Sequence, residues 1–467
     1  MSTVVGMSVL EPDSEVLPLL LSTNSLAKVV SDGLCTGCGM CSVPVDGKDS
    51  PVAMKFDKER GHFAPETEYT RDAVSCVCPG ATMDMPKVAR QVHGSEPEDP
   101  VLGNYTSTRA AYASDQKLRE RAASGGVIPA LLRHLFETRE IDAVYCAIPG
   151  NHPAGASGRI IRDVSELEDI SGSIYHPVNF GSALSELLSS GGKFAFVGLP
   201  CEIAGLEMLK AHLPHLESRH ALSIGLFCGG INTFDGVGYY LRSFGISPKN
   251  VEEIEYRYGR WPGNIRVKLA EPRKSERVLP RIRGNSRWGI LRYVIAFQGY
   301  WMLKRCRICP DQVADFADIS VGDPHLEKFR GREDPGVSAV VARTQRGESL
   351  IQEALKAGVL ADEPLSRDEV VASQGYTLDN RRHVAAYEYV AKQIGLESPT
   401  IRTYKKLSET LSMRHYIYAW VDLMKIKLPK HPIVTWFFLP WQIFEYLFIT
   451  FAPSLVIRRI TKLIRNR

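Results

Sequence analysis

From residue 109 onward, short apolar runs alternate with stretches of helical period. "AAYAS" at 110–114, "IDAVYCAIPG" at 141–150, "KFAFVGLP" at 193–200 and "ALSIGLFCGG" at 221–230 read as strands. "PALLRHLFETRE" at 129–140 and "EIAGLEMLKAHL" at 202–213 read as helices between some of them. Strands alternating with helices predict βαβ units and a mostly parallel sheet. Residues 251–280, "VEEIEYRYGRWPGNIRVKLAEPRKSERVLP", follow a different pattern. Turn signals at "RWPGN" and "EPRKS" divide that stretch into antiparallel strands, an insertion or a second small layer.

The two ends of the chain differ from this middle. Residues 1–100 are loop-rich and close on "HGSEPEDPVLGNY", whose Pro and acids suit a linker or surface crossing. After residue 411 the chain turns hydrophobic, with an apolar run at 433–457 long enough to cross a bilayer. Pro440, Gln442, Glu445 and Pro453 interrupt it, Trp436, Trp441 and Tyr446 suit a membrane interface, and Arg458, Arg459, Lys462, Arg465 and Arg467 would meet anionic headgroups. The expectation is a tail that lies in or re-enters the membrane surface. The alternative is two aromatic helices packed on the body or on a partner.

Composition narrows the function classes. A formal charge of +4 on 467 residues, with no basic stretch interleaved with stacking aromatics in the first four hundred, argues against nucleic acid as a partner. Ten cysteines are too sparse for a disulfide scaffold, and most stand in close pairs or triplets, which suits thiolate ligands in a reducing compartment. The N-terminal "MSTVVGMSVLEPDSEVLPLLLS" carries acids and no basic leader, so a cytoplasmic body, peripheral on the inner face of the membrane, is expected.

The cysteines carry the chemistry. In "CTGCGMC", Cys35, Cys38 and Cys41 are spaced as the start of an iron–sulfur loop, but Val45 stands where a bacterial-ferredoxin run would place its fourth cysteine. "SCVCPG" offers Cys76 and Cys78, and Cys78 is favoured because Pro79 follows it. A four-cysteine zinc site is the competing reading, although zinc usually takes two separated Cys-x-x-Cys pairs. Cys201 and Cys228 follow two of the predicted strands; if those are parallel neighbours, both thiols reach one carboxyl edge. Cys306 and Cys309 could then complete a second set of four, the alternative being two buried thiols and a separate redox pair. Cys146, inside an apolar run, reads as core.

Three further residue groups are candidates. Ser124, Gly125 and Gly126 precede a helix with Pro129 in its first turn, a place where free N–H groups can cradle an anion such as a flavin phosphate, or a ring carbonyl. Ser-Gly-Gly is also a common helix cap. Ser173 and Tyr175 form a hydroxyl-bearing turn able to hold a ligand, and His176 beside them is a candidate proton donor; a plain surface turn is the alternative.

Taken together, "CTGCGMC", "VCPG", "ASGGV", "FVGLPCEIAGL", "IGLFCGG" and "CRICPDQVADFADISVGDP", spread in this order over about residues 30 to 330, resemble the coenzyme F420 hydrogenase/dehydrogenase beta-subunit family. The resemblance implies FAD and one or two 4Fe-4S clusters, with flavin at Ser124 to Gly126 and cluster ligation by Cys201, Cys228, Cys306 and Cys309. It leaves the substrate open among the deazaflavin coenzyme, tetrapyrroles and the unknown chemistry of cell-surface polysaccharide pathways. The hydrophobic tail lies outside the family core and favours work at a membrane, on a lipid-linked or other apolar small molecule.

The expected architecture is therefore α/β, mixed with α+β. It comprises a ferredoxin-like cluster-binding unit over residues 1–100, a flavin-binding α/β domain with a mostly parallel sheet over 101–410, and a hydrophobic helical tail over 411–467. The expected function is an iron–sulfur flavoprotein oxidoreductase fed by ferredoxin or a partner subunit. Its rivals are an electron-transfer subunit of a membrane complex without its own substrate, a coenzyme F420 oxidoreductase and a zinc-stabilised scaffold.

Overall fold

The computed structural model describes residues 25–427 except 46–51, 67–75, 150–155, 171, 182, 271–274, 281–291, 294–295, 298–300, 331–334, 394–399 and 410. Its strands, in chain order, are β1 (Met54–Asp57), β2 (His62–Pro65), β3 (Thr82–Asp84), β4 (Ser107–Ala113), β5 (Ala143–Ile148), β6 (Ser157–Ile161), β7 (Phe194–Gly198) and β8 (His220–Leu226). They continue with β9 (Val251–Tyr258), β10 (Asn264–Leu269), β11 (Ser275–Leu279), β12 (Ile319–Gly322), β13 (Ser338–Ala342), β14 (Leu360–Pro364) and β15 (Thr400–Arg402).

An eight-stranded sheet in the order β14-β4-β13-β12-β8-β7-β5-β6 forms the centre. The neighbours β12, β8, β7 and β5 pair in parallel. β13 is antiparallel to both β12 and β4, so β4 points with the parallel group, and β14 and β6 run against their neighbours at the two edges. The parallel centre expected from strand-helix alternation is present, with antiparallel strands added to it. Connection length explains one of them: β5 and β6 are joined by residues 149–156 alone, too few for a crossover between parallel strands.

Side chains alternate across the sheet with the two-residue period of a strand. Phe194 and Phe196 of β7 enter one core with Ile203 and Leu206 of the helix Pro200–His212. Ala195 and Val197 enter the other, with Leu131 of the helix Val127–Glu137 and Ile351 of the helix Gln345–Lys356. Cys146 lies buried in this second core among its apolar neighbours, and burial pushes its thiol up to about 12.

The N-terminal region shares the first of these cores. Met40, Val77 and Met83 pack with the β7 phenylalanines, and β3 pairs in parallel with β15 from the far end of the chain. The 251–280 stretch forms the antiparallel sheet β11-β10-β9 over its own apolar core, with the helix Phe234–Ser243.

Near the C-terminus the helix Met413–Lys427 packs through Ala419 and Leu423 onto Ala386 and Val390 of the helix Gly375–Gln393. Among the described residues no helix is long and apolar enough to cross a membrane, and the run at 433–457 lies outside them.

Candidate functional site

β7 and β8 are parallel neighbours with Gly198 opposite Gly225. Cys201 and Cys228 each follow their glycine by three residues, so both reach the same carboxyl edge of the sheet. Pro200 opens the helix that carries Cys201, and the Glu202 carboxylate accepts the Leu199 N–H at 2.7 Å to cap its start. The short helix Lys304–Arg307 and the turn after it bring Cys306 and Cys309 to the same place. The four thiols line one small cavity with Thr36, Arg305 and Gln312. Backbone donors point at two of the sulfurs: Gly230 N–H to Cys228 Sγ and Ile231 N–H to Cys306 Sγ, both at 3.4 Å.

Three buried aspartates hold the loop that follows Cys309. Asp311 accepts the N–H of Val313 at 3.1 Å and of Asp315 at 3.0 Å, and burial raises its carboxyl. Asp315 pairs with Arg381 and accepts the Tyr404 hydroxyl at 3.1 Å. Asp318 accepts the Ser223 N–H at 2.8 Å and pairs with Arg346 at 2.7 Å; despite burial, Arg346 and then His220 and Thr344 hold it below the usual carboxylate range. The spacing of acids in "CPDQVADFADIS" thus becomes a loop tied to β8 and to the helix Gly375–Gln393.

The other cysteine set forms within the shared core. Cys35, Cys38, Cys41 and Cys78 are all buried in it. Gly37 and Gly39, at φ of 75° and 74°, let the chain turn back between the cysteines; a Cβ on Gly37 would meet the Phe63 carbonyl at 2.8 Å. Gly37 N–H points at Cys35 Sγ at 3.4 Å. Burial, and then the proximity of Cys78, raises the thiols of Cys35, Cys38 and Cys41, with Cys38 pushed up to about 12. Cys76 is half-buried, and Lys87 is a charge acting on its thiol, whereas Cys78 is buried with Cys35, Cys38 and Cys41 and acts on all three of their thiols.

Buried thiols this hard to ionise are poor nucleophiles, whereas binding to a metal centre drives off their protons. Among the described residues, no three His, Cys, Asp or Glu side chains are arranged to hold one metal ion. Both sets offer four soft sulfur donors and backbone N–H groups aimed at sulfur, the donor chemistry of an iron–sulfur cluster.

Beside the second set opens a cavity of about 710 Å³, within the size range of small-molecule and cofactor sites. Phe227 after β8 and Asp323 after β12 line it, with Tyr175, Trp261 and Phe297 as further aromatic wall. Gly230 belongs to this wall and to that of the four-cysteine cavity. Under the cavity, Arg257 donates to Asp323 at 2.7 and 3.2 Å and to the Ala123 carbonyl. Burial works against its charge, but Asp323 and then Tyr175 outweigh it and hold the guanidinium firmly protonated.

The remaining candidates divide. Tyr175 lines the cavity, with its ring 5.0 Å from that of Tyr256. Ser173 is partly buried and outside the lining, and His176 is buried behind Tyr175, sharing a 2.8 Å hydrogen bond with the Tyr256 hydroxyl. Ser124 donates its hydroxyl to the Val337 carbonyl at 2.7 Å and Gly125 its N–H to the Ser338 hydroxyl at 2.9 Å. These two donors hold the loop against β13, while Gly126, at φ of 74°, starts the helix. Sequence reasoning missed Arg257, Asp323 and Arg305. Asp323 and Arg305 flank the "CRICPDQVADFADISVG" run, but their partners come from distant segments.

Comparison with known proteins gives two family matches, both to the beta subunit of coenzyme F420 hydrogenase/dehydrogenase. Residues 108–185 match the family model for its N-terminal part, and residues 191–368 the model for its C terminus. The chain is 23% identical over 310 residues to coenzyme F420 hydrogenase subunit beta of Methanothermobacter thermautotrophicus, spanning 64% of this chain and 99% of that protein. It is 25% identical over 271 residues to the protein of the same name from Methanococcus voltae, 56% of this chain and 84% of that one. The F420-dependent formate dehydrogenase subunit beta of Methanocaldococcus jannaschii is 23% identical over 296 residues, 63% of this chain and 71% of that protein. The second cysteine set lies within the matched stretches and the first precedes both.

Proposed function

This chain belongs to the coenzyme F420 hydrogenase/dehydrogenase beta-subunit family, and on that premise we propose that it is an iron–sulfur flavoprotein oxidoreductase with two 4Fe-4S sites. Cys35, Cys38, Cys41 and Cys78 would hold one cluster, and Cys201, Cys228, Cys306 and Cys309 the other. FAD would occupy the large cavity.

The observation that carries this reading is the shared Gly230: a ring of four cysteines is separated by one backbone segment from a cavity of cofactor size. Clusters carry single electrons, and a flavin collects two of them for hydride-equivalent chemistry. Around that chemistry the protein supplies position and charge. Arg257, neutralised by Asp323, braces the cavity floor, and the aromatic wall of Tyr175, Phe227 and Phe297 keeps water from a planar ligand. His176 is hydrogen-bonded to Tyr256, whose ring lies against that of the cavity-lining Tyr175, so its part would be to hold or relay a proton behind the wall. Ser124, Gly125 and Gly126 act indirectly, by placing the Ala123 carbonyl against Arg257.

Electrons would arrive from ferredoxin or a partner subunit at the first cysteine set. The product would be a reduced small molecule, apolar or membrane-linked if the C-terminal tail anchors the protein to the inner face of the membrane. A second reading, favoured by the names of the relatives, has the deazaflavin coenzyme as the molecule that exchanges hydride at the cavity.

Iron, sulfide, zinc and flavin content per chain after anaerobic purification tests the proposal. Iron and sulfide for two cubane clusters together with FAD are expected. Zinc without flavin would overturn it in favour of a zinc-stabilised scaffold.

A further inference from the structure

The two cysteine sets meet at one side chain. Arg305 is 2% exposed. Its Nε donates to the carbonyl of Pro79, the residue after Cys78, at 2.9 Å, and its Nη1 donates to the carbonyl of Ile308, between Cys306 and Cys309, at 3.1 Å. The remaining nitrogen, Nη2, is buried without a partner among the described residues, and Arg305 lines the cavity ringed by Cys201, Cys228, Cys306 and Cys309. Gln312 Oε1, in the same wall, is likewise buried and unpartnered.

A buried cationic donor left without an acceptor is strongly unfavourable. Two carbonyl bonds would suffice if the residue only stapled the fold, and they leave Nη2 unexplained. The orphaned N–H calls for an electron-rich acceptor, and the four-cysteine cavity that Arg305 lines offers room for one.

We infer that Arg305 Nη2 donates a hydrogen bond to a sulfur of the second cluster, and that this guanidinium, anchored on Pro79 beside the first cluster, favours electron transfer from the first to the second. The inference rests on the two-cluster reading. In each transfer the first cluster loses one electron and the second gains it, with no proton moved. The added negative charge then lies next to the cation, which stabilises the reduced second cluster and raises its potential. In the first set the Arg305 charge acts on the thiol of Cys78, whereas in the second it acts on those of both Cys306 and Cys309.

The test uses the full chain, purified anaerobically as wild type, Arg305→Gln and Arg305→Lys, with iron content measured before an EPR-monitored redox titration. Wild type without iron defeats the two-cluster reading itself. With iron retained, Arg305→Gln should lower the midpoint of one cluster by at least tenfold in the one-electron equilibrium, about 59 mV, and Arg305→Lys by less. Unchanged midpoints at full iron content overturn the role of Arg305. If Arg305→Gln loses its iron, wild type grown on arginine labelled with ¹⁵N in the guanidinium decides the matter. Pulsed EPR of the reduced protein should show a ¹⁵N coupling that is absent from Arg305→Lys; no coupling, or one that survives the substitution, overturns the inference.

Discussion

Asp315 and Arg381 meet in a two-pronged ion pair at the centre of the protein, with the two side chains at 1% and 0% exposure. Arg343 Nη1 lies 3.5 Å from the same carboxylate, and the Tyr404 hydroxyl completes it at 3.1 Å. The pair ties the loop after Cys309 to the helix Gly375–Gln393. Removing one partner of a buried pair leaves an uncompensated charge, so Asp315→Asn should destabilise the protein by about 3–5 kcal/mol and loosen the second cysteine set. Urea unfolding together with iron content measures both. A variant within about 1 kcal/mol of wild type would show that the pair does not hold the loop.

The placement of the four N-terminal cysteines separates two thiols that are neighbours in sequence. Cys78→Ser should lose about half of the bound iron, the share of one of two cubane clusters, while Cys76→Ser keeps all of it. Equal loss in the two variants would refute the choice of ligand.

His220 gives the protein a pH-sensitive point in its core. Burial, and then Lys210, holds the imidazole well below its ordinary range, with Asp318 and Arg346 also acting on it. Lys210 Nζ lies 3.4 Å from His220 Nδ1, a contact that only a neutral ring can accept. Below about pH 6.5 the unfolded chain takes up a proton that the native ring refuses, so this contribution to stability declines by up to about 1.4 kcal/mol per pH unit on acidification. Glu207, raised to about 7 by burial, works the other way, with stability present at low pH and lost as pH rises through that value. The measurement is therefore the difference between wild type and His220→Gln, by urea unfolding from pH 7 to pH 5. Wild type should lose stability relative to the variant as the pH falls, and parallel curves would sink the assignment.

Ala419 and Leu423 seat the helix Met413–Lys427 on the helix Gly375–Gln393, so a truncation after Lys427 keeps that packing. A chain ending at Lys427 should leave the membrane fraction with its iron and flavin content intact. Retention of the shortened protein in that fraction would refute the tail as the anchor.

Much of the fold was legible because the signals are local. "FAFVGLP" and "ALSIGLFCGG" are short apolar runs bounded by glycine and proline, which favours buried strands, and the turn signals at 260–264 and 271–275 fall at the two ends of β10. The antiparallel insertion of β13 between β4 and β12 was not legible, since "SAVVA" is as continuously apolar as a parallel strand and carries no mark of direction.

The site divides along the same line. Cysteine spacing identified Cys35, Cys38 and Cys41 and the pair Cys306 and Cys309 as candidate ligands, while Pro79 singled out Cys78, and the strand pattern together with the family resemblance brought in Cys201 and Cys228. How near the two sets lie, and the cavity beside the second, depended on segments far apart in the chain being folded into contact. Pro79 and Arg305 are separated by 226 residues, and Arg257 and Asp323 by 66. Burial and ion pairing at that range follow from which faces of the sheet and helices pack together, and no periodicity within a single segment encodes them. Local patterns of residue type thus specify the sulfur donors and the strands. Long-range packing is what puts the second cysteine set beside the cavity and Arg305 between the two sets.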